Sequence, residues 1–133
     1  GKYSKSFKIK DREPIEINPN DAKKRGLKNG DIVKLFNDRG ACLAGVIIDK
    51  KVMEGVVQIS TGAWYDPENP NKPNSICKHG NPNVLTLDKG SSKLGQGPIA
   101  HSCLIELEKF NDNPPSVTAH EPPIILRNKT NIN

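Results

Sequence analysis

Leu27-Lys28-Asn29-Gly30-Asp31-Ile32-Val33-Lys34-Leu35-Phe36-Asn37 is the stretch that decides how this chain folds. Asn29-Gly30 is a tight-turn dipeptide, because Gly adopts positive φ without steric cost and Asn tolerates it. Ile32 to Phe36 is rich in β-branched and aromatic residues and predicts a strand. Asn37-Asp38-Arg39-Gly40 is a second turn, and Ala41 to Ile48 a second strand, so the whole predicts a hairpin. Gly45 inside that strand signals a bulge or a close backbone approach.

Towards the N-terminus, residues 13–18 alternate polar and apolar and predict a strand with Ile15 and Ile17 on one face. A short helix over 19–25 follows. Asn18 suits the N-cap, Pro19 the first helical position and Asp21 the positive end. Lys23, Lys24 and Arg25 fill the last turn, and Gly26 ends it. Towards the C-terminus, Met53-Glu54-Gly55 turns the chain into a strand over 56–60, and Thr61-Gly62-Ala63-Trp64-Tyr65 leads into a loop. Residues 66–83 are too dense in Pro, Asn and Lys to form a packed element, and a loop of that length is usually functional or disordered. A short strand over 84–87, a small-residue loop over 89–98 and an alternating strand over 102–108 complete the reading. In the last of these Cys103, Ile105 and Leu107 share a face. The expected units are a basic lead-in (1–12), a barrel (13–110) and a tail (111–133) with one apolar island, Ile124-Ile125-Leu126. With no βαβ rhythm, the fold expected is mainly β: a barrel of about six to seven strands, whose closure removes exposed edges, with one short helix and long loops.

Composition bounds the function. The 133 residues suffice for one domain with a real core. Only 34% are hydrophobic and 5% aromatic, low for a compact enzyme. No apolar run approaches the ~20 residues of a membrane span, and no secretory h-region opens the chain. The missing initiator Met leads us to expect a processed or excised piece. Net charge is +5, and most of it lies in Lys2, Lys5, Lys8, Lys10 and Arg12, opposed by Asp11. Such an arm is either a solvated lead-in or a contact for phosphates or an acidic partner. The body has no basic stripe interleaved with aromatics, so no nucleic-acid partner is expected. Cys42, Cys77 and Cys103 form no CxxC and no zinc pattern with His79, His101 and His120. Cys103 fits as core filler and Cys77 as an exposed loop thiol.

No nucleophile elbow or phosphate loop is present. Gly90-Ser91 leaves open self-cleavage to a pyruvoyl group, against the commoner reading of a flexible loop. The suggestive residues lie in loops. Trp64 and Tyr65 sit together at a strand end. Asn81 and Asn83 flank Pro82, whose fixed φ stiffens their spacing. A carboxamide offers donors and an acceptor, so such a pair, with Gln96 as a third, suits a heterocycle edge, and His101 suits a phosphate. Ordinary turn chemistry explains Asn81 and Asn83 equally well, and core packing explains Trp64.

A string of motifs then carries a resemblance: Arg12-Glu13-Pro14-Ile15, Ile17-Asn18-Pro19-Asn20-Asp21-Ala22, Arg25-Gly26-Leu27-Lys28-Asn29-Gly30-Asp31-Ile32-Val33, Phe36-Asn37-Asp38-Arg39-Gly40, Gly62-Ala63-Trp64-Tyr65, Gly80-Asn81-Pro82-Asn83-Val84-Leu85-Thr86 and Ser91-Ser92-Lys93-Leu94-Gly95-Gln96-Gly97. Over roughly residues 10–108 the chain resembles the C-terminal domain of the dimethyl sulfoxide reductase family of molybdenum enzymes, nearest the trimethylamine N-oxide and biotin sulfoxide reductase branch. The resemblance implies a double-psi β-barrel that binds and covers molybdopterin guanine dinucleotide, two of which hold one molybdenum. It implies a parent enzyme of anaerobic respiration that reduces S-oxides or N-oxides, in the periplasm or cytoplasm of a bacterium, with its other domains as partners. By position, cofactor contacts fall on Trp64, Tyr65, Asn81, Asn83, Gln96 and His101. The family's metal ligand and its opening His-Ser strand motif match nothing here, so no catalytic or metal-binding residue is expected and the domain alone is expected to be inactive. The competing expectation is a stand-alone Gly-Asp-box barrel that binds nucleic acid or protein through its basic arm.

Overall fold

The computed structural model describes residues 2–111 and 113–122. Among them, a one-turn helix α1 (Lys2–Lys5) is followed by β1 (Pro14–Ile17), helix α2 (Pro19–Lys24), β2 (Ile32–Phe36), β3 (Ala41–Ile48), β4 (Val57–Ile59), a 3-10 turn (Pro82–Val84) and β5 (Glu106–Lys109). The strands form one mixed sheet in the order β4-β1-β3-β2-β5. β1 runs parallel to β3, with Ile15 opposite Val46, and every other pairing is antiparallel.

The expected hairpin is β2–β3, in register from Ile32 opposite Gly45 to Phe36 opposite Ala41. Its turn closes through Asn37 N–H to the Gly40 carbonyl at 3.0 Å. Asn37 Oδ1 also accepts from Arg39 N at 2.9 Å. Gly45 marks a close approach rather than a bulge, because a Cβ there would lie 2.3 Å from Ile9 Cβ. Helix α2 forms as its caps dictate: Asn18 Oδ1 accepts from Asn20 N at 2.8 Å, and Gly26 ends the turn at φ +63°. Its buried Asp21 accepts from Gly55 N at 2.6 Å, which ties the helix to the turn before β4.

The core gathers Ile15, Ile17, Ala22, Leu27, Val33, Leu35, Cys42, Ala44, Val46, Cys77 and Leu85. Ile15 and Ile17 point inward together, as the alternation predicts.

Several expectations need correction. Five strands form among the described residues, not six to seven. Residues 84–87 are no strand. Pro82–Val84 is a 3-10 turn capped by Asn81, and the Leu85 carbonyl bonds Asn37 Nδ2 and Arg39 Nε instead of a ladder. The strand expected over 102–108 pairs only as Glu106–Lys109, although Cys103, Ile105 and Leu107 do pack on the core. Cys77 is fully buried, because it bridges in parallel to Cys42, with Leu43 N bonding the Cys77 carbonyl at 2.9 Å. The loop expected not to pack does so in part: Asp66, Ser75, Cys77, Lys78 and His79 are buried. The island 124–126 lies outside the described residues.

Candidate functional site

Two adjoining hollows open beside the 3-10 turn. The larger, of about 670 Å³, has an apolar floor that includes Ile17, Leu35, Val57, Ile59 and Leu107. Its polar lining includes Asp21, Arg25, Gln58, Asn83, Thr86, His101 and Ser102. The smaller, of about 420 Å³, is lined by Leu87, Asp88, Lys89, Gly90, Gln96 and Pro98. Asn83, Thr86 and Ala100 belong to both walls.

Asn83 is therefore central, and local chemistry puts it there. The Asn81 side chain accepts from Asn83 N at 2.9 Å and caps the turn, and Pro82 fixes φ at its first residue. The Asn83 carbonyl accepts from Thr86 Oγ1 at 3.2 Å. These bonds use the backbone of Asn83, and its exposed carboxamide has no hydrogen-bond partner among the described residues. The turn is stitched to the hairpin by Asn37 Nδ2, which donates to the carbonyls of Leu85 at 2.9 Å and Leu104 at 3.1 Å. A Cβ on Gly40 would meet the Val84 carbonyl at 2.7 Å, so only Gly permits this approach.

Gln96 lines the smaller hollow from a small closed loop. Ser91 N donates to the Gly97 carbonyl at 2.8 Å, and Gly90 bridges Pro98. Gln96 itself has φ +48°, donates from Nε2 to the Lys93 carbonyl at 3.2 Å, and rests its Oε1 where a Gly90 Cβ would be, 2.4 Å away.

Of the six residues expected at a site, Asn83, Gln96 and His101 are thus brought to the joined hollows. Asn81 acts as the cap beneath Asn83. Trp64 and Tyr65 line neither hollow and stand 65% and 53% exposed on a separate loop. The core role open to Trp64 is excluded by that exposure. Thr86 and Asp88, which sequence reasoning passed over, line the hollows too; nothing in their local pattern marks them.

The Trp64 loop has its own underpinning. His79, fully buried, donates from Nδ1 to the Trp64 carbonyl at 3.1 Å, while its Nε2 has no hydrogen-bond partner among the described residues. Burial holds the His79 pKa below its ordinary value; the Trp64 carbonyl opposes the shift, and Lys8 and His120 reinforce it. Asp66 is buried beside it. Burial raises its pKa, but bonds from the Thr118 hydroxyl and N–H, then Lys78, outweigh that and hold it low.

A mixed β domain carrying two joined hollows under a carboxamide-bearing wall is a ligand-binding module. The family model described as "Molydopterin dinucleotide binding domain" matches residues 2–104, and the chain belongs to that family. It is 47% identical over 112 residues to trimethylamine-N-oxide reductase 1 of Escherichia coli (strain K12), covering 84% of this chain and 13% of that protein. It is 48% identical over 118 residues to trimethylamine-N-oxide reductase of Salmonella typhimurium, covering 89% and 14%. Against the Vibrio cholerae trimethylamine-N-oxide reductase it is 44% identical over 122 residues, covering 92% and 15%. The chain thus spans about a seventh of the length of these relatives. The solved structure of acetylene hydratase from Pelobacter acetylenicus has a similar fold, with TM-score 0.55 over 74% of this chain and 14% of that one, at 19% identity.

Proposed function

We propose that this chain binds and covers the molybdopterin guanine dinucleotide of a bis(molybdopterin guanine dinucleotide) molybdenum centre, within a larger reductase of S-oxides or N-oxides. The observation that carries the reading is the pair of joined hollows with the Asn83 carboxamide in their shared wall. Their sizes fall within the ~300–1,000 Å³ of small-molecule sites. The apolar floor of the larger suits the face of a flat ring, and the carboxamides of Asn83 and Gln96, which both line the smaller, suit a purine edge with alternating donors and acceptors. Lys89 adds a cation and His101 a ring N–H donor at the walls for phosphates. These residues fit such a group. When bound, the molybdenum centre supplies the oxygen-atom transfer. The residues of this chain bind, orient and exclude water, and none carries a catalytic role alone.

The barrel reading gains support from the same hollow. β4 and β5 are the two edges of the sheet, and Val57 and Ile59 of one and Leu107 of the other line the larger hollow together, as closure into a barrel would require. Trp64 and Tyr65 offer a second, aromatic contact outside the hollows, and Asn81 acts by orienting Asn83. The reading through a free basic arm is weakened, since Lys8 pairs with Glu13 and Arg12 is buried. Among the described residues no helix is long and apolar enough to cross a membrane.

The test is a titration of the 15N-labelled chain with GDP and, separately, ADP. GDP should move the side-chain amide peaks of Asn83 and Gln96 at concentrations where ADP does not. Equal response to both nucleotides, or movement confined to other residues, overturns the assignment.

A further inference from the structure

Residues 113–122 follow no motif, yet they are fastened to the Trp64 loop at several points. The buried Asp66 carboxylate accepts from Thr118 N at 2.7 Å, Thr118 Oγ1 at 2.7 Å and Ala119 N at 3.1 Å. Lys78 Nζ donates to Thr118 Oγ1 at 2.9 Å and lies 3.3 Å from Asp66 Oδ1. Thr118 thus uses both its donor and an acceptor in a closed, partly buried network with the buried Asp66 carboxylate and Lys78 ammonium. Upstream, the buried Arg12 donates from Nη2 to the Pro115 carbonyl. Glu121 N bonds the Thr118 carbonyl at 2.9 Å, closing a turn that carries Ala119 and His120.

That turn sets the His120 ring against two partners. It lies 5.6 Å from the Trp64 ring at 50°, and 5.1 Å from the His79 ring at 88°. His79 in turn bonds the Trp64 carbonyl. Trp64 is therefore held at its backbone by His79 and at its ring by His120. The Trp64 ring is otherwise largely exposed.

We infer that residues 113–122 are a strap that sets the Trp64 ring, with His120 as the positioning residue and Asp66–Thr118–Lys78 as the fastening. The consequence for the cofactor, a pre-oriented aromatic face, rests on the proposal that Trp64 contacts it. The positioning itself does not.

The sole Trp of the chain makes the test direct, because its indole Nε1–H gives one peak in a 1H–15N spectrum. The 133-residue chain is compared with His120→Ala, His120→Phe, Thr118→Val and Thr118→Ser. His120→Ala should move the indole peak and lower the Trp anisotropy, and His120→Phe should restore the anisotropy by keeping a ring in place. Thr118→Val should reproduce the His120→Ala change although His120 is intact, whereas Thr118→Ser, which keeps the hydroxyl, should not. An indole peak and anisotropy unchanged in both His120→Ala and Thr118→Val overturn the inference, and so does Thr118→Ser behaving as Thr118→Val. The exposed His120 can be truncated without opening the core, and the amides of Ile32–Phe36 report whether each variant keeps the sheet. No cofactor enters the measurement, so its failure and that of the dinucleotide reading are separable.

Discussion

Gly45→Ala tests how the sequence before β1 is seated. Gly45 lies in the middle of β3, paired with Pro14 of β1 on one side and Ile32 of β2 on the other. A Cβ there would lie 2.3 Å from Ile9 Cβ, 2.6 Å from Cγ2 and 3.1 Å from Cδ1. Non-bonded carbons settle at ~3.5–4.0 Å, so about 1 Å of movement is required. β3 is pinned on both sides, so residues 8–12 must yield. They are held by the paired Ile9–Arg12 backbone bonds at 3.0 Å and by the Lys8–Glu13 ion pair. Overpacking of this kind costs ~1–3 kcal/mol. Each kcal/mol corresponds to ~2–8 °C in Tm for domains bracketing this size. Thermal unfolding measures the loss, and limited trypsin digestion should show faster cleavage after Lys8 and Lys10. Adding Ile9→Ala should not rescue the variant, because the nearest clashing atom is Ile9 Cβ itself, whereas Ile9→Gly should recover part of the loss. A Gly45→Ala chain within ~0.5 kcal/mol of the parent, as for an ordinary surface change, refutes the reasoning. It would also return residues 1–12 to the status of a free basic arm.

Further outcomes follow from buried groups. Because the folded pKa of His79 lies below its ordinary 6.5, the unfolded chain binds the extra proton between those values. Stability is therefore fully present above pH 6.5 and is lost as pH falls through the folded value; in urea titrations across pH, His79→Phe should flatten that slope. Burial pushes the Cys42 thiol up to about 12 and Cys77 is fully enclosed, so a thiol reagent should modify Cys103 first and the other two only on unfolding. Rapid reaction of all three in the folded chain would contradict the core. Asn37→Ala removes donors to the Leu85 and Leu104 carbonyls and should cost ~1–3 kcal/mol by chemical denaturation.

What was legible in the sequence was whatever local chemistry decides. The helix at Pro19–Lys24 announced itself because Asn18, Pro19, Asp21, Lys23 and Gly26 all agree. The β2–β3 hairpin followed from two turn signals around a β-rich run. Val84-Leu85-Thr86-Leu87 misled because its β-propensity loses to the Asn81-Pro82 turn and to long-range donors on its carbonyls. Cys77 looked exposed because the residues around it are polar, whereas its burial comes from pairing with Cys42, far away in the chain. The same holds for the strap, since Asp66 and Thr118 are 52 residues apart and no local pattern joins them. At the site, Asn83 was readable as an amide stiffened by Pro82, and Gln96 as an amide in a small-residue loop. That they share one pair of hollows, and that Trp64 stands apart from it, depends on packing the sheet.

The most direct measurement is the molybdenum and guanine nucleotide content, per polypeptide, of the proposed parent reductase, with and without Asn83→Ala. Loss of a buried edge contact worth ~1–3 kcal/mol weakens retention about 5–150-fold. The variant should therefore lose both metal and nucleotide through dialysis that leaves the parent loaded. Equal content in the two proteins after the same dialysis would contradict the claim that the shared wall of the hollows grips the dinucleotide.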